Sequence, residues 1–256
     1  MVMTRAWDLC MIEKNNYCHI FCAVDTDDLD RAISLSSAIS PYVGGVKLGI
    51  QFFSTFGPPG VEVIRQRGLP IFLDLKLFDI PNTVVGAVHA AARLGPAMLT
   101  LHASGGRAMM EAAVRANREA ADTLGQERSL LLGVTVLTSL GHDDLCEVGV
   151  QGDLADQVLR LASLAQDSGL DGVVCSAHEI EALRRLCGGG FKLVVPGIRP
   201  TWAESDDQKR VLTPAEALNK GADYLVIGRP ITGAKDPVAA VQRIAAEVAE
   251  LVTLGS

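Results

Sequence analysis

Residues 74 to 83, Asp-Leu-Lys-Leu-Phe-Asp-Ile-Pro-Asn-Thr, combine two carboxylates and one ammonium group in a stretch that otherwise has the pattern of a buried strand entering a helix. Side chains two positions apart on a strand share a face, so we expect Asp74 and Lys76 to point the same way. Unpaired charges are costly in a low-dielectric interior. The segment therefore predicts electrostatic or acid–base chemistry rather than packing.

The elements that must position these residues are eight short apolar runs separated by helix-like segments. The runs are 19–25, 44–50, 70–76, 98–103, 130–137, 172–176, 192–196 and 224–228. Between them, apolar residues recur at spacings of three and four, as in Val84, Val88 and Ala91. Eight strand–helix repeats in a chain of 256 residues predict an α/β protein of the (β/α)8 TIM-barrel class.

A doubly wound open sheet is the alternative fold. Against it, the first run ends in Asp25-Thr26-Asp27, without the GxGxxG sequence that holds a dinucleotide pyrophosphate. No linker or low-complexity stretch divides the chain. We therefore expect a single barrel domain over residues 18–256, preceded by an N-terminal extension, residues 1–17, to which no role can be assigned.

Working residues of this fold lie at the carboxyl ends of strands. The polar residues of the sequence follow that rule, and they are Asp25 after run one, Lys47 in run two, Asp74 and Lys76 in run three, His102 and Ser104 at run four, Thr138 and Ser139 after run five, Ser176 after run six, Arg199 after run seven and Arg229 after run eight. We expect one rim of the barrel to carry the chemistry.

The charged set Asp25, Lys47, Asp74, Lys76 and Asp79 predicts an array that presents a fixed field to a substrate. The alternative is a structural ion-pair network at the barrel mouth. Asp79 taken singly has a further explanation, because Pro81 marks the start of a helix and an acid is favoured there.

Two loops predict an anion site. Pro196-Gly197-Ile198-Arg199-Pro200 follows the seventh run and Gly228-Arg229-Pro230 follows the eighth, and in this fold these loops often bind phosphate. The alternative is that the glycines and prolines only turn the chain and the arginines are solvated. The polar residues 201–210 are interpreted as a lid or as an ordinary surface loop.

Composition excludes several function classes. A net charge of -7 and a pI near 5.2 argue against a nucleic-acid partner. No run has the ~18 uninterrupted apolar residues of a membrane span, and residues 1–17 contain no signal-type apolar region, so we expect a cytoplasmic protein without a membrane partner. The six cysteines lack metal-type spacing and are interpreted as reduced thiols.

Over residues 18 to about 245 the sequence resembles the orotidine 5'-monophosphate decarboxylase family of bacterial type. The resemblance rests on eight strings, AVD at 23–25, VKLG at 46–49, DLKLFDIPNT at 74–83, HASGG at 102–106, VTVLTS at 134–139, DGVVCSA at 171–177, PGIRP at 196–200 and VIGRPIT at 226–232. The shorter DxKxxD pattern also occurs in related sugar-phosphate barrels. Its extension through Ile80-Pro81-Asn82-Thr83 favours the nucleotide enzyme, whereas Phe78 departs from the histidine of some bacterial members.

The resemblance implies a role for each matching residue. Lys76 would donate a proton to C6 of the pyrimidine beside Asp74, which would face the leaving carboxylate. Lys47 and Asp25 would contact the ribose and hold the array. The remaining residues would be Asp79 and Thr83 reaching into the site of a second subunit, Thr138 and Ser139 at the pyrimidine, Gln208, Gly228 and Arg229 at the phosphate, and Arg199 at the base of the closing loop.

The implied function is conversion of orotidine 5'-monophosphate to UMP and CO2 in pyrimidine biosynthesis, by a homodimer with shared active sites and without cofactor or metal. Two alternatives stay open. One is a magnesium-dependent enzyme, a decarboxylase or synthase acting on a 3-keto sugar phosphate, and the other is a non-catalytic nucleotide-binding barrel.

Overall fold

The fold is known from a computed structural model that describes residues 17–203 and 212–254, with side chains described up to residue 249. In this part of the chain eight parallel strands close a barrel in chain order. They are β1 (Ile20–Ala23), β2 (Gly45–Gly49), β3 (Ile71–Leu77), β4 (Met98–His102), β5 (Leu130–Val134), β6 (Gly172–Val174), β7 (Lys192–Pro196) and β8 (Tyr224–Ile227). The predicted TIM-barrel class is confirmed.

Helices follow the strands. They are α1 (Leu29–Ile39), α2 (Ile50–Arg65), α3 (Pro81–Ala92), α4 (Gly106–Leu124), α5 (His142–Glu147), α6 (Leu154–Asp167), α7 (Ile180–Cys187), α8 (Pro214–Asn219), α9 (Arg229–Thr232) and α10 (Pro237–Leu254). Short 3₁₀ turns cover Ser40–Tyr42 and Ala103–Gly105. Within the described helices, none combines the length and apolar character needed to cross a membrane.

The apolar runs form the core, as parallel strands covered by helices require. All five residues of β5 are buried, and the apolar stripe of α6, including Val158, Leu161 and Ala165, is buried as well. The fifth run is shorter than predicted, because the chain leaves the strand after Val134. Residues 135–137 of the predicted run belong to the loop that precedes α5, as do Thr138 and Ser139, which were expected to follow the strand.

The chain divides into two compact units. Of the described residues, the first contains those up to Asp74, those between Gly197 and Asn219, and those from Tyr224 onward. The second contains Leu75–Pro196 and Lys220–Asp223. The boundary falls within β3, between Asp74 and Leu75.

Two carboxylates of the second unit each lie just before one strand and accept hydrogen bonds near the start of the neighbouring strand. Asp171 precedes β6 and contacts β5, and Asp223 precedes β8 and contacts β7. Asp171 accepts hydrogen bonds from both terminal nitrogens of Arg128, at 2.7 Å each, and from the backbone N–H of Leu131 at 2.9 Å. Asp223 accepts from Arg184 at 2.5 Å, from Lys192 at 3.2 Å and from the backbone N–H of Leu193 at 2.8 Å. Both lie at amino ends of strands, where this fold places residues that serve stability.

We expect Asp223→Ala to lower the free energy of unfolding by about 2 to 4 kcal/mol, because a partly buried carboxylate with three donors is removed and the donors lose their acceptor. Urea denaturation followed by circular dichroism measures the change. Glu181→Ala is the matched control, since Glu181 pairs with Lys220 on the surface and its loss should have a much smaller effect. Equal losses of unfolding free energy in both variants would contradict a stabilising role for the hydrogen bonds of Asp223.

Candidate active site

Three charged side chains of the first unit form a continuous acid–lysine–acid group at the carboxyl ends of β1, β2 and β3. The ammonium nitrogen of Lys47 lies 3.3 Å from both carboxylate oxygens of Asp25 and 3.5 Å from Oδ2 of Asp74. Asp25 is partly exposed, whereas the side chains of Lys47 and Asp74 are 12% and 11% exposed. Two carboxylates thus share one ammonium group in a largely buried setting, which suits a pre-oriented field.

Gly49 gives this group its space. It closes β2 with extended backbone angles, φ -93° and ψ -172°, that any residue can adopt. A Cβ atom at this position would lie 2.7 Å from Oδ1 of Asp25 and 3.0 Å from Nζ of Lys47. The glycine is required by the close approach of the two side chains, not by its backbone.

We expect Gly49→Ala to displace the Asp25–Lys47 pair and to lower the free energy of unfolding by about 1 kcal/mol, the low end of the overpacking range, because the displaced atoms are the ends of flexible side chains. Chemical denaturation measures this change. Gly189→Ala is the control, because a Cβ at Gly189 meets no atom within 4 Å and the substitution should be nearly neutral. If the two alanine variants were equally stable, the space at Gly49 would not matter.

The cysteines lie in contrasting environments. Burial raises the pKa of the Cys22 thiol on β1 to about 12; the Asp25 carboxylate raises it and Lys47 lowers it. Cys175 and Cys187 are also buried free thiols, and Cys146 is exposed. Cys18 is disulfide-bonded, and its partner is none of the other described cysteines, so the prediction of reduced thiols is wrong at this position. Spacing rules for metal sites did not address disulfide pairing.

Lys76 has an unusual backbone. Its φ is +51°, the left-handed region, and it is the one residue other than glycine in the described part of the chain with a positive φ. That conformation costs a residue with a Cβ about 1 to 2 kcal/mol. The backbone N–H of Lys76 donates a hydrogen bond to the Thr100 hydroxyl on β4, at 2.9 Å. The alternation used to predict the directions of Asp74 and Lys76 assumes extended backbone angles, which Lys76 does not have.

Asp79 and Thr83 are exposed between β3 and the first turn of α3. The Asp79 carboxylate accepts a hydrogen bond from the backbone N–H of Ile80 at 2.7 Å, which agrees with an acid at a helix start. The neighbouring apolar side chains Phe78 and Ile80 are 62% and 67% exposed. The Phe78 ring nevertheless contacts the His102 ring of β4, at a centroid distance of 5.6 Å.

Arg199 and Arg229 line one cavity of about 410 Å³ in the first unit, together with Trp202, Ala203 and Pro230. Arg229 begins α9 directly after Gly228, whose carbonyl accepts the N–H of Ile231 at 2.8 Å. The Trp202 ring is covered by the Arg243 guanidinium, 4.8 Å from its centroid. Two loops separated in sequence thus present two guanidinium side chains to one concave surface.

The remaining predicted residues lie in an exposed loop or outside the described part of the chain. Thr138 and Ser139 are exposed in the loop after β5. Gln208 and most of the predicted lid, residues 204–210, lie outside the described residues, as do residues 1–16 of the predicted extension. Among the described side chains, no group of three or more His, Cys, Asp or Glu residues is arranged to hold a metal ion.

Sequence reasoning missed two residues at this end of the strands, Thr100 and Gly49. Thr100 is fully buried and is the polar residue inside the apolar run Met98–Leu101, a signal that could have been noticed. For Gly49 no sequence signal distinguished a glycine that makes room from a glycine that turns the chain.

The sequence model of the orotidine 5'-phosphate decarboxylase / HUMPS family matches residues 19–244. The chain is 54% identical over 229 residues to orotidine 5'-phosphate decarboxylase of Paramagnetospirillum magneticum, covering 90% of this chain and 97% of that protein. It is 50% identical over 239 residues to the Moorella thermoacetica protein of the same name, covering 93% and 95%.

A solved structure agrees with the sequence matches. The crystal structure of orotidine 5'-phosphate decarboxylase from Lactobacillus acidophilus superimposes with a TM-score of 0.80 at 38% identity, covering 90% of this chain and 98% of that one. The resemblance inferred from the eight strings is confirmed.

Proposed function

The chain belongs to the orotidine 5'-phosphate decarboxylase / HUMPS family, and on that premise we propose that it converts orotidine 5'-monophosphate to UMP and CO2 in pyrimidine nucleotide biosynthesis. The observation that carries the proposal is the acid–lysine–acid group of Asp25, Lys47 and Asp74, with Lys76 two residues further along β3.

The reaction poses a specific physical problem. Loss of CO2 from C6 leaves an electron pair in an sp2 orbital that is orthogonal to the ring π system, so the ring offers no conjugated sink. Lys76 answers this need as an ammonium group that stabilises the developing charge and delivers a proton to C6. Asp74 faces the substrate carboxylate, and Lys47 and Asp25 bind the ribose while holding Asp74 in place.

The size of an enzymatic rate acceleration requires the charged residues of the site to act together. One charge pair at 4 Å contributes about 4 kcal/mol at an effective dielectric of about 20, whereas enzymatic accelerations correspond to roughly 8 to 23 kcal/mol. Lys76 alone is insufficient. The remainder comes from charges already oriented before the substrate arrives, in a site from which water is excluded.

Phosphate binding supplies the rest of the substrate recognition. The cavity between Arg199 and Arg229 provides two guanidinium groups, which suit a phosphate dianion. The buried indole N–H of Trp202 has no acceptor in the described part of the chain, so it suits a ligand oxygen. Gly228 and Gln208 complete the phosphate grip in this proposal, and Thr138 and Ser139 contact the pyrimidine.

A homodimer with shared active sites is also part of the proposal. Asp79 and Thr83 reach into the site of the partner subunit. Support comes from Phe78 and Ile80, because two large apolar side chains exposed by more than half, on either side of a charged residue, are typical of a surface covered in an assembly.

Further parts of the proposal are that residues 18–256 act as one catalytic domain, that no cofactor or metal takes part, and that the protein is cytoplasmic without nucleic-acid or membrane partners. Free thiols at Cys22, Cys175 and Cys187 support a reducing compartment, whereas the disulfide at Cys18 argues the other way. Fractionation of cells against compartment markers tests the location.

The deciding experiment mixes purified protein with orotidine 5'-monophosphate in excess EDTA and follows the loss of its ultraviolet absorbance. Full activity supports the proposal. Activity that disappears with EDTA and returns with Mg²⁺ would favour the magnesium-dependent alternative. Binding of the nucleotide without any turnover would instead identify a non-catalytic nucleotide-binding barrel.

A further inference from the structure

We propose that Thr100 is a positioning residue for the Lys76 ammonium group, acting through the Lys76 backbone. The inference rests on the proposed function of Lys76 but concerns a residue that the family resemblance did not assign. Both residues belong to the second unit, and so does the contact between them.

The first step is the conformation of Lys76. A left-handed φ of +51° turns the Cα–Cβ bond away from the direction that strand alternation would give it. The direction in which the ammonium group leaves β3 therefore depends on keeping this φ. Residues with side chains hold such a conformation only when surrounding contacts enforce it, and these residues concentrate at functional sites.

The second step is the contact that enforces it. The acceptor for the Lys76 N–H is the hydroxyl of Thr100, 2.9 Å away and 24 residues further along the chain. Thr100 is fully buried, on a strand whose neighbours Leu99 and Leu101 are apolar and buried. A buried hydroxyl needs hydrogen-bond partners, and one of them here is the amide of Lys76.

The segment after Lys76 also contacts strand β4. The Phe78 ring contacts the His102 ring at the end of the same strand, β4. A Cβ at Gly105, in the turn after β4, would lie 3.3 Å from the Phe78 ring. Strand β4 and its turn thus contact residues 76 and 78, and Thr100 provides the hydrogen bond at the residue that carries the ammonium group.

The test compares Thr100→Val, which keeps the shape and removes the acceptor, with Thr100→Ser, which keeps the hydroxyl. We expect Thr100→Val to lower kcat for orotidine 5'-monophosphate at least about tenfold with KM changed less than about threefold, and Thr100→Ser to stay within about threefold of wild type in both. Assays are run well below the melting temperature of each variant.

The control is Ser129→Ala. Ser129 is a buried residue before β5 whose hydroxyl donates to the Pro96 carbonyl at 2.6 Å, so its loss removes a comparable hydrogen bond away from the carboxyl ends of the strands. It should lower the melting temperature without lowering kcat. If Thr100→Val behaved in the same way, Thr100 would be purely structural and the proposal would be wrong.

A second readout is independent of turnover. In protein labelled with ¹⁵N-lysine, with the Lys76 amide assigned by its absence in Lys76→Arg, we expect Thr100→Val to accelerate hydrogen exchange of that amide and Thr100→Ser to preserve its protection. Unchanged exchange in Thr100→Val would overturn the proposal. If the wild-type protein does not decarboxylate the nucleotide, the proposed function fails, and amide exchange still decides whether Thr100 holds Lys76.

Discussion

Replacing Lys76 by alanine is expected to lower kcat for orotidine 5'-monophosphate by about 10⁴-fold or more, because the variant loses both the proton donor to C6 and the positive charge nearest the developing carbanion. Binding should change little, since the phosphate cavity at Arg199 and Arg229 is untouched. Single-turnover kinetics measure the first quantity, and titration with UMP measures the second.

The matched control for this variant is Lys220→Ala. Lys220 is a partly exposed lysine that pairs with Glu181 at 2.9 Å, and its removal should leave kcat unchanged. The comparison separates loss of one ammonium group at the end of β3 from loss of any lysine. Near-normal turnover by Lys76→Ala would require a different proton donor.

The second large effect is restoration of activity by mixing two inactive variants. Lys76→Ala and Asp79→Ala should each be nearly inactive as homodimers. If Asp79 acts in the partner's site, half of the dimers in an equal, fully exchanged mixture are mixed, and each mixed dimer has one intact site and one site lacking both residues. The mixture should then reach about one quarter of wild-type activity.

The control mixture combines Lys76→Ala with the double variant Lys76→Ala/Asp79→Ala. No arrangement of these chains contains an intact site, so activity should stay at background. Activity in the first mixture equal to the mean of its two components would mean that Asp79 serves its own chain or none. Mixed dimers can also be purified through two different affinity tags, and each should then show the activity of one intact site, half that of the wild-type dimer.

The sequence predicted the strand order and much of the charged group because both depend on local pattern. Apolar runs and three-to-four spacing identified eight strands and their helices, and the placement of polar residues at strand ends identified Asp25, Lys47 and Asp74. These three do lie within ion-pairing distance. Arg199 and Arg229 were likewise assigned to one site, and they line one cavity.

What the sequence did not predict depends on contacts between distant residues. The left-handed backbone of Lys76 involves a hydroxyl 24 positions away, so no periodic pattern could indicate it. The space at Gly49 depends on where two other side chains end. The fifth strand was predicted too long because residues 135–137 continue its mainly apolar pattern, whereas the backbone leaves the strand after Val134.

The contact between Trp202 and Arg243 gives the protein an optical property. The indole ring lies under a guanidinium group and also forms part of the wall of the arginine-lined cavity. Indole fluorescence responds to nearby charge, so we expect an anion that enters this cavity to alter the emission of Trp202. Trp7 is the one other tryptophan in the sequence. With Trp7 changed to phenylalanine, the chain becomes a single-emitter sensor of its own ligand and needs no attached dye.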